Sequence, residues 1–407
     1  MFDHTEWKLD FCVAESGCLA HFVTEDERDA LTIVHEDGLL TSRFFYRHTE
    51  TPLSVSCQAE KGSKISIVFR PYRIELYADG VLSDEEWPFG EPLFPSAVPK
   101  VLCFPWNESP APAPEDEPTI TGSFTGAEGW CPGNGVSVGD CMPYADGERY
   151  HVLYLKDRHH HAAKWGKGAH QWSHLSTADL IHWEIHPLAV GIDDPGEGSI
   201  CTGSWIKDGG KHFLYYSIRS VDGSPAPLRR SVSEDGYHFR KDPDFHFVLS
   251  ERYRGDRARD PKVIRGEDGL LHMFVTTTDK TVGKGCLVHL ISEDGERFRE
   301  IGNIYTSPDE SEPECSDYFE RNGVYYLIIS HRGIGEYLLS DAPFSGFEKP
   351  TDNRIPCSSV PKCAIWNGRI LFAGFRGEQY AGVLTFKEAF QNADGTLSFG
   401  PVPECEK

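Results

Sequence analysis

Three acidic residues open three similar stretches of this 407-residue chain: Asp140-Cys141-Met142-Pro143, Asp260-Pro261-Lys262-Val263 and Glu314-Cys315-Ser316-Asp317. Each is followed by an apolar run, a tight turn and a second apolar run, so the acids hold matching places in a repeat. A closed repeat architecture would bring them together. Carboxyl groups in close range push their pKa values apart, which assigns acid and base duties. That suits glycosidic bond cleavage, where one carboxylic acid protonates the leaving oxygen and one carboxylate attacks the anomeric carbon or activates water. A third can orient sugar hydroxyls and keep the acid protonated. Singly, each has a plainer reading: Asp140 follows Gly139 as a turn residue, Asp260 caps and pairs with Arg259, and Glu314 ends the acidic run from Asp309. Surface acids have no reason to follow a repeat period, and that register favours the functional reading.

The elements that must carry these acids recur about five times after residue 119, with a period of roughly 50 to 60 residues. The first half of each unit is a strand, a turn and an aromatic-rich strand. Its turn is Asp146-Gly147 before Tyr150, Gly209-Gly210 before His212, Asp268-Gly269 before Leu271, Asn322-Gly323 before Val324, and Asn367-Gly368 before Ile370. Such pairs supply the positive φ of two-residue hairpins. The second half repeats as Ser176-Thr177-Ala178-Asp179, Ser233-Glu234-Asp235-Gly236 and Ser292-Glu293-Asp294-Gly295, with Ser340-Asp341-Ala342-Pro343 as a looser copy. Four-stranded units of this length around an axis are the mark of a β-propeller, here with five blades. The start of each blade's first strand then gathers at one mouth of the channel. The second and fifth units carry Thr202-Gly203-Ser204 and Lys362-Cys363-Ala364 there.

The expected fold is all-β, with a β-sandwich of jelly-roll type over 1–108, a Pro-rich linker over 109–118 and the propeller over 119–407. Alternation in Lys64–Phe69 and Arg73–Tyr77, followed by the Asp79-Gly80 turn, carries the sandwich reading. The sandwich could bind carbohydrate, form a homo-oligomer contact or only shelter the propeller. With 63 acidic against 40 basic residues the net charge is -23, which opposes phosphate backbones and anionic membrane surfaces. Nucleic acid and membrane are therefore excluded as partners, while a neutral sugar is unaffected by the field. Neither a signal peptide at Met1-Phe2-Asp3-His4-Thr5 nor a membrane-length apolar stretch is present, and a cytoplasmic protein is expected. The 12 cysteines lack metal-type spacing and read as reduced, mostly buried thiols.

Within this frame the residues resemble glycoside hydrolase family 32, the β-fructofuranosidase, invertase and levanase group. Arg259-Asp260-Pro261-Lys262 resembles its Arg-Asp-Pro motif and Glu314-Cys315-Ser316-Asp317 its Glu-Cys motif. Trp172-Ser173-His174 through His182-Trp183-Glu184 resembles its Trp-Gly-His stretch, and Cys201-Thr202-Gly203-Ser204 its Phe-Ser-Gly-Ser element. The resemblance, over about residues 130 to 400, implies a five-bladed propeller, Asp140 as nucleophile, Glu314 as acid/base, and Asp260 with Arg259 binding sugar hydroxyls. Two departures stand out: Gly139-Asp140-Cys141-Met142-Pro143 replaces the family's Asn-Asp-Pro-Asn-Gly, and a sandwich precedes the propeller instead of following it.

Sugar contacts are further expected from Trp165, Trp172, His174, Ser204 and His160, since aromatic faces stack on sugar rings and polar tips bind hydroxyls. Three histidines in a row, His159-His160-His161, alternate sides on a strand and cannot all bind one metal, so neither metal nor cofactor is expected. Trp183, Trp205 and Trp366 fall in or beside the strand repeats and read as core. The expected function is a retaining exo-glycosidase acting on a small β-fructofuranoside or related furanoside oligosaccharide. Its rivals are an inverting arabinofuranosidase or xylosidase of the family 43 type, with Asp140 as general base, and a sugar-binding propeller without turnover.

Overall fold

The computed structural model describes residues 6–45, 52–70, 73–86, 93, 96–105, 108–133, 135–158, 170–194, 196–220, 224–225, 227–357 and 359–407. Their regular structure is antiparallel strand, with a few 3-10 turns. Among them, no helix is long and apolar enough to cross a membrane. The chain forms two compact units, one built on Met1–Glu117 and the other on most of the chain from Pro118 onward.

The first unit holds two five-stranded sheets. One runs in the order Glu108–Pro110, Trp7–Cys12, Lys64–Arg70, Arg73–Ala78, Val81–Glu86; the other runs Leu53–Gln58, Leu39–Phe44, Asp29–Glu36, Gly17–Val23, Val98–Leu102. Trp7, Leu9 and Phe11 alternate with Lys8, Asp10 and Cys12, so every second side chain faces inward. Those of the first sheet share one buried cluster with Leu31, Ile33, Leu40 and Val55 of the second, and Trp7 stacks on Phe69 at 3.9 Å. Asp79 and Gly80 take φ of 51° and 83°, closing the expected hairpin. The expected linker begins too early: Ser109 and Pro110 face Lys8 and Trp7 in the edge strand Glu108–Pro110. An edge tolerates proline because its outer side needs no donor.

The second unit holds five successive sheets. The first contains Gly122–Thr125, His182–Ile185, Gln171–Thr177, Tyr150–Arg158 and Val136–Ala145 in that order. The second runs Glu197–Asp208, Lys211–Ser220, Leu228–Ser233, Arg240–Lys241, and the third Arg259–Arg265, Leu271–Asp279, Lys284–Ser292, Arg299–Thr306. The fourth has Glu314–Arg321, Val324–His331 and Ile334–Ser340; the fifth has Ser359–Trp366, Arg369–Arg376, Val383–Gln391 and Leu397–Gly400. The strands starting at Val136, Glu197, Arg259, Glu314 and Ser359 each pack on the next, and the last packs on the first. Buried residues between neighbouring sheets, including Trp183, Trp205 and Trp366, supply the core.

Local chemistry explains the repeat. Asn322-Gly323 and Asn367-Gly368 both take positive φ, with Arg321 opposite Val324 and Trp366 opposite Arg369 across the two-residue turns. In the second half of the unit, the hydroxyls of Thr177, Ser233 and Ser292 accept the backbone N–H of Leu180, Gly236 and Gly295. Asp179, Asp235 and Asp294 accept two further N–H groups each. The equivalent of Ser233 is thus Thr177, one residue later than the sequence alignment of Ser176 suggested.

One irregularity recurs in all five leading strands. Two residues oppose one on the neighbouring strand at Gly139-Asp140, Cys201-Thr202, Asp260-Pro261, Cys315-Ser316 and Val360-Pro361. The first residue of the bulge has φ of 55° at Asp260, 50° at Cys315 and 44° at Val360. Left-handed backbone costs a residue with a Cβ about 1–2 kcal/mol, so the surrounding sheets hold this geometry against its local preference.

Candidate active site

The five bulges fix a common frame, and the three carboxylates fill three different places in it. Glu314 stands one residue before its bulge, Asp260 is the first residue of its bulge and Asp140 the second of its own. The premise that they hold equivalent positions is therefore corrected; the equivalents of Asp140 are Thr202, Pro261, Ser316 and Pro361. All three carboxylates nevertheless line one cavity of about 530 Å³, together with Arg259, Thr202 and Tyr380. That volume lies within the range of small-molecule sites.

Each acid is held differently. The Asp140 Oδ2 accepts from Thr202 Oγ1 at 2.6 Å and from Cys315 Sγ at 3.4 Å, while its Oδ1 accepts from the Tyr380 hydroxyl at 3.2 Å. The Asp260 Oδ2 accepts from the Cys315 backbone N–H at 3.0 Å and lies 3.7 Å from Arg259 Nε. Arg259 Nη2 donates to Glu314 at 3.0 Å and its Nη1 to Glu312 at 2.7 Å. One guanidinium thus ties Asp260, Glu314 and Glu312 together. Burial alone would lower the Arg259 pKa, but these three carboxylates outweigh it and raise it. Glu312 is kept below its usual range, because Arg259 and the Thr278 hydroxyl outweigh its burial.

Asp260 is only 3% exposed, and burial pushes its carboxyl up to about 6. The charges of Glu314 and Asp140 push the same way, against Arg259 and the Cys315 N–H. The Glu314 side chain is 37% exposed, against 5% for that of Asp260.

The position after each bulge is held by Cys141, Gly203, Lys262, Asp317 and Lys362 in turn. Lys262 pairs with Asp317 at 2.5 Å, whose other oxygen accepts from the Cys363 N–H. Lys362 donates to the Gly203 carbonyl at 2.7 Å, and burial lowers its pKa. Gly203 is obligatory at this position, since a Cβ there would lie 1.8 Å from the Tyr215 carbonyl oxygen.

Asp140, Arg259, Asp260 and Glu314 are thus brought together. Trp172, His174 and Ser204, expected to touch sugar, are not on the cavity wall. Trp172 is fully buried, donating from Nε1 to the Cys201 carbonyl, and His174 is fully buried against His151 and His186. Ser204 donates to Pro261 O and accepts from Val263 N, both at 2.9 Å, bridging the second and third sheets. In the Cys201-Thr202-Gly203-Ser204 element the residues that reach the site are therefore Cys201 and Thr202, and Ser204 is covered by the next strand. His160 and Trp165 lie outside the described residues.

Sequence reasoning missed His170, Glu312, Gln379 and Tyr380. His170 lines the cavity, bonds through Nε2 to the buried Asp157 at 2.9 Å and stacks on Tyr380. Gln379 and Tyr380 come from the turn after Arg369–Arg376, whose counterparts in the other sheets differ in length and sequence. Among the described residues, no group of three or more His, Cys, Asp or Glu side chains could hold a metal ion. The cavity is lined by carboxylates, by Arg219, Arg259 and Arg332, and by hydroxyl donors.

Comparison with known proteins bears on this arrangement. The sucrose-6-phosphate hydrolase of Escherichia coli is 25% identical over 304 residues, covering 64% of this chain and 60% of that protein. This chain therefore spans about three fifths of the length of that relative. Among solved structures, fructan 1-exohydrolase IIa from Cichorium intybus matches with a TM-score of 0.56 at 16% identity, over 69% of this chain and 61% of that one. The sucrose-6-phosphate hydrolase of Lactobacillus gasseri matches with a TM-score of 0.55 at 18% identity, over 65% and 61%. These likenesses show a shared fold. The pattern of the glycosyl hydrolases family 32 N-terminal domain matches residues 141–344, which contain Asp260 and Glu314 and begin just after Asp140. That match takes in half of the 407 residues, and the chain belongs to glycoside hydrolase family 32.

Proposed function

We propose that the protein is a retaining exo-glycosidase that hydrolyses a small β-fructofuranoside, with Asp140 as nucleophile and Glu314 as acid/base. The observation that carries this reading is the convergence of Asp140, Asp260 and Glu314, from three different sheets, on one cavity with Arg259 tied to two of them. The five sheets of the second unit are read as the blades of a five-bladed propeller. The two sheets of the first unit are read as a jelly-roll-like sandwich.

In this mechanism Glu314 protonates the leaving oxygen while Asp140 attacks the anomeric carbon, and Glu314 then takes a proton from the water that releases the sugar. Thr202 and Tyr380 donate to the two oxygens of Asp140 and hold the carboxylate in place for attack. Asp260, bound to the Cys315 N–H, accepts from sugar hydroxyls. Arg259 must loosen its hold on Glu314 when substrate arrives, because a carboxylate paired with a guanidinium is a poor acid.

The names of the relatives, sucrose-6-phosphate hydrolase and fructan exohydrolase, support sucrose, its 6-phosphate and 1-kestose as first substrates to test. Proton NMR of the first-formed anomer decides the stereochemistry: β-fructofuranose is expected, and the inverted anomer would instead favour Asp140 as a general base. Glu314→Gln should cut kcat by at least about 100-fold, the usual scale of general acid catalysis. Unchanged turnover in that variant would sink the assignment.

A further inference from the structure

We propose that Tyr380 is a positioning residue for Asp140, and that the missing side chain of Gly139 is what admits it. The proposal rests on the reading of Asp140 as nucleophile. The Tyr380 hydroxyl donates to Asp140 Oδ1 at 3.2 Å, while Thr202 and Cys315 serve Oδ2. Tyr380 therefore holds the oxygen that its neighbours leave free. A Cβ at Gly139 would lie 2.8 Å from the Tyr380 hydroxyl oxygen and 2.9 Å from the Leu155 carbonyl oxygen. A larger residue before Asp140 would displace the hydroxyl.

The backbone delivers Tyr380 to this place. Val138 and Gly382 exchange two backbone hydrogen bonds of 2.9 Å, so the strand carrying Asp140 is pinned to the segment carrying Tyr380 two residues from each. Gly382 has no room for a side chain, since a Cβ would meet the Arg376 carbonyl oxygen at 2.1 Å. On its other side the Tyr380 ring stacks on His170 at 5.2 Å with 24° between planes, and His170 is fixed by the buried Asp157. A chain of contacts thus runs Asp157, His170, Tyr380, Asp140. The Tyr380 hydroxyl stays protonated across the working range, because burial and then the Asp140 charge raise its pKa well above the ordinary value. It can only donate to the carboxylate.

A donor to a carboxylate favours the charged form, so its removal should raise the pKa of Asp140. Tyr380→Phe keeps the ring and its stack and removes only the hydroxyl. The acid limb of kcat/KM should move up by about one pH unit, with about a tenfold loss of kcat/KM below that limb, since one unit is a factor of ten in the ionised fraction. A merely structural role would lower the melting temperature and leave the limb in place. A carboxyl-carbon NMR titration of Asp140, in the Glu314→Gln protein with and without Tyr380→Phe, reads the same shift without turnover. An unmoved limb and an unmoved titration would overturn the proposal. Asp140→Asn separates the two readings: full activity in that variant removes the nucleophile assignment itself. Loss of activity there, with the Tyr380→Phe limb unmoved, removes only the role of Tyr380.

Discussion

Replacing Asp260 by Asn should abolish turnover and stabilise the second unit at neutral pH. Asp260 is buried, and its carboxyl titrates at about 6 against an ordinary 3.8. The folded form therefore binds the proton more tightly than the unfolded chain. Stability from this group is fully present below pH 3.8 and is lost as pH rises through about 6. At about 1.4 kcal/mol per pH unit, the difference amounts to about 3 kcal/mol lost at pH 7.5. Asn carries no charge to desolvate, its amide oxygen can still accept the Cys315 N–H, and it tolerates the φ of 55° at this position. Arg259 keeps Glu312 and Glu314 as partners. Losing the attraction of Arg259 to Asp260 is already counted in the value of about 6. Urea unfolding of both proteins at pH 7.5 and pH 4 measures the effect. The variant should be more stable by about 2–3 kcal/mol at pH 7.5, a rise of roughly 4–6 °C in Tm for a unit of this size, and nearly equal at pH 4. An Asn variant no more stable at pH 7.5, or equally favoured at both pH values, would refute the reasoning.

Two other outcomes are open to direct measurement. Burial lowers both His186 and His289 from 6.5 to about 4, so the unfolded chain binds more protons than the folded one between those values. Each histidine should thus cost up to about 3 kcal/mol as pH falls through that window, and His289→Gln should flatten the decline of the urea midpoint between pH 6.5 and 4.5; an undiminished slope counts against it. Trp172→Phe should lower stability by about 1–3 kcal/mol, because the Cys201 carbonyl loses its donor and the core loses volume. Its KM should be unchanged, and a rise in KM above threefold would put Trp172 back at the sugar.

The sequence exposed the hairpins and the sheet count for a physical reason. A two-residue turn needs positive φ, and Asn322-Gly323 or Asn367-Gly368 announce it by residue type. The bulges were invisible, because Gly-Asp, Cys-Thr, Asp-Pro, Cys-Ser and Val-Pro share no chemistry. An offset of two residues over one is a property of the hydrogen-bond ladder. Hence the cavity's carboxylates were found but their register was misjudged, and Thr202 was passed over for Ser204. Tyr380 and His170 were hidden for another reason: both sit in the connection between the second and third strands of their sheets, which differs in length and sequence from one sheet to the next. Trp172 shows the opposite error. A tryptophan beside a site motif suggests sugar stacking, but its Nε1 is spent on the Cys201 carbonyl inside the protein.

The shared bulge has a bearing on descent. Had an ancestral unit carried an acid when it was duplicated, its copies would keep that acid at the same rung of the ladder. Glu314, Asp260 and Asp140 occupy three different positions relative to the bulge. The repeat therefore accounts for the shared backbone offset and not for these three acids.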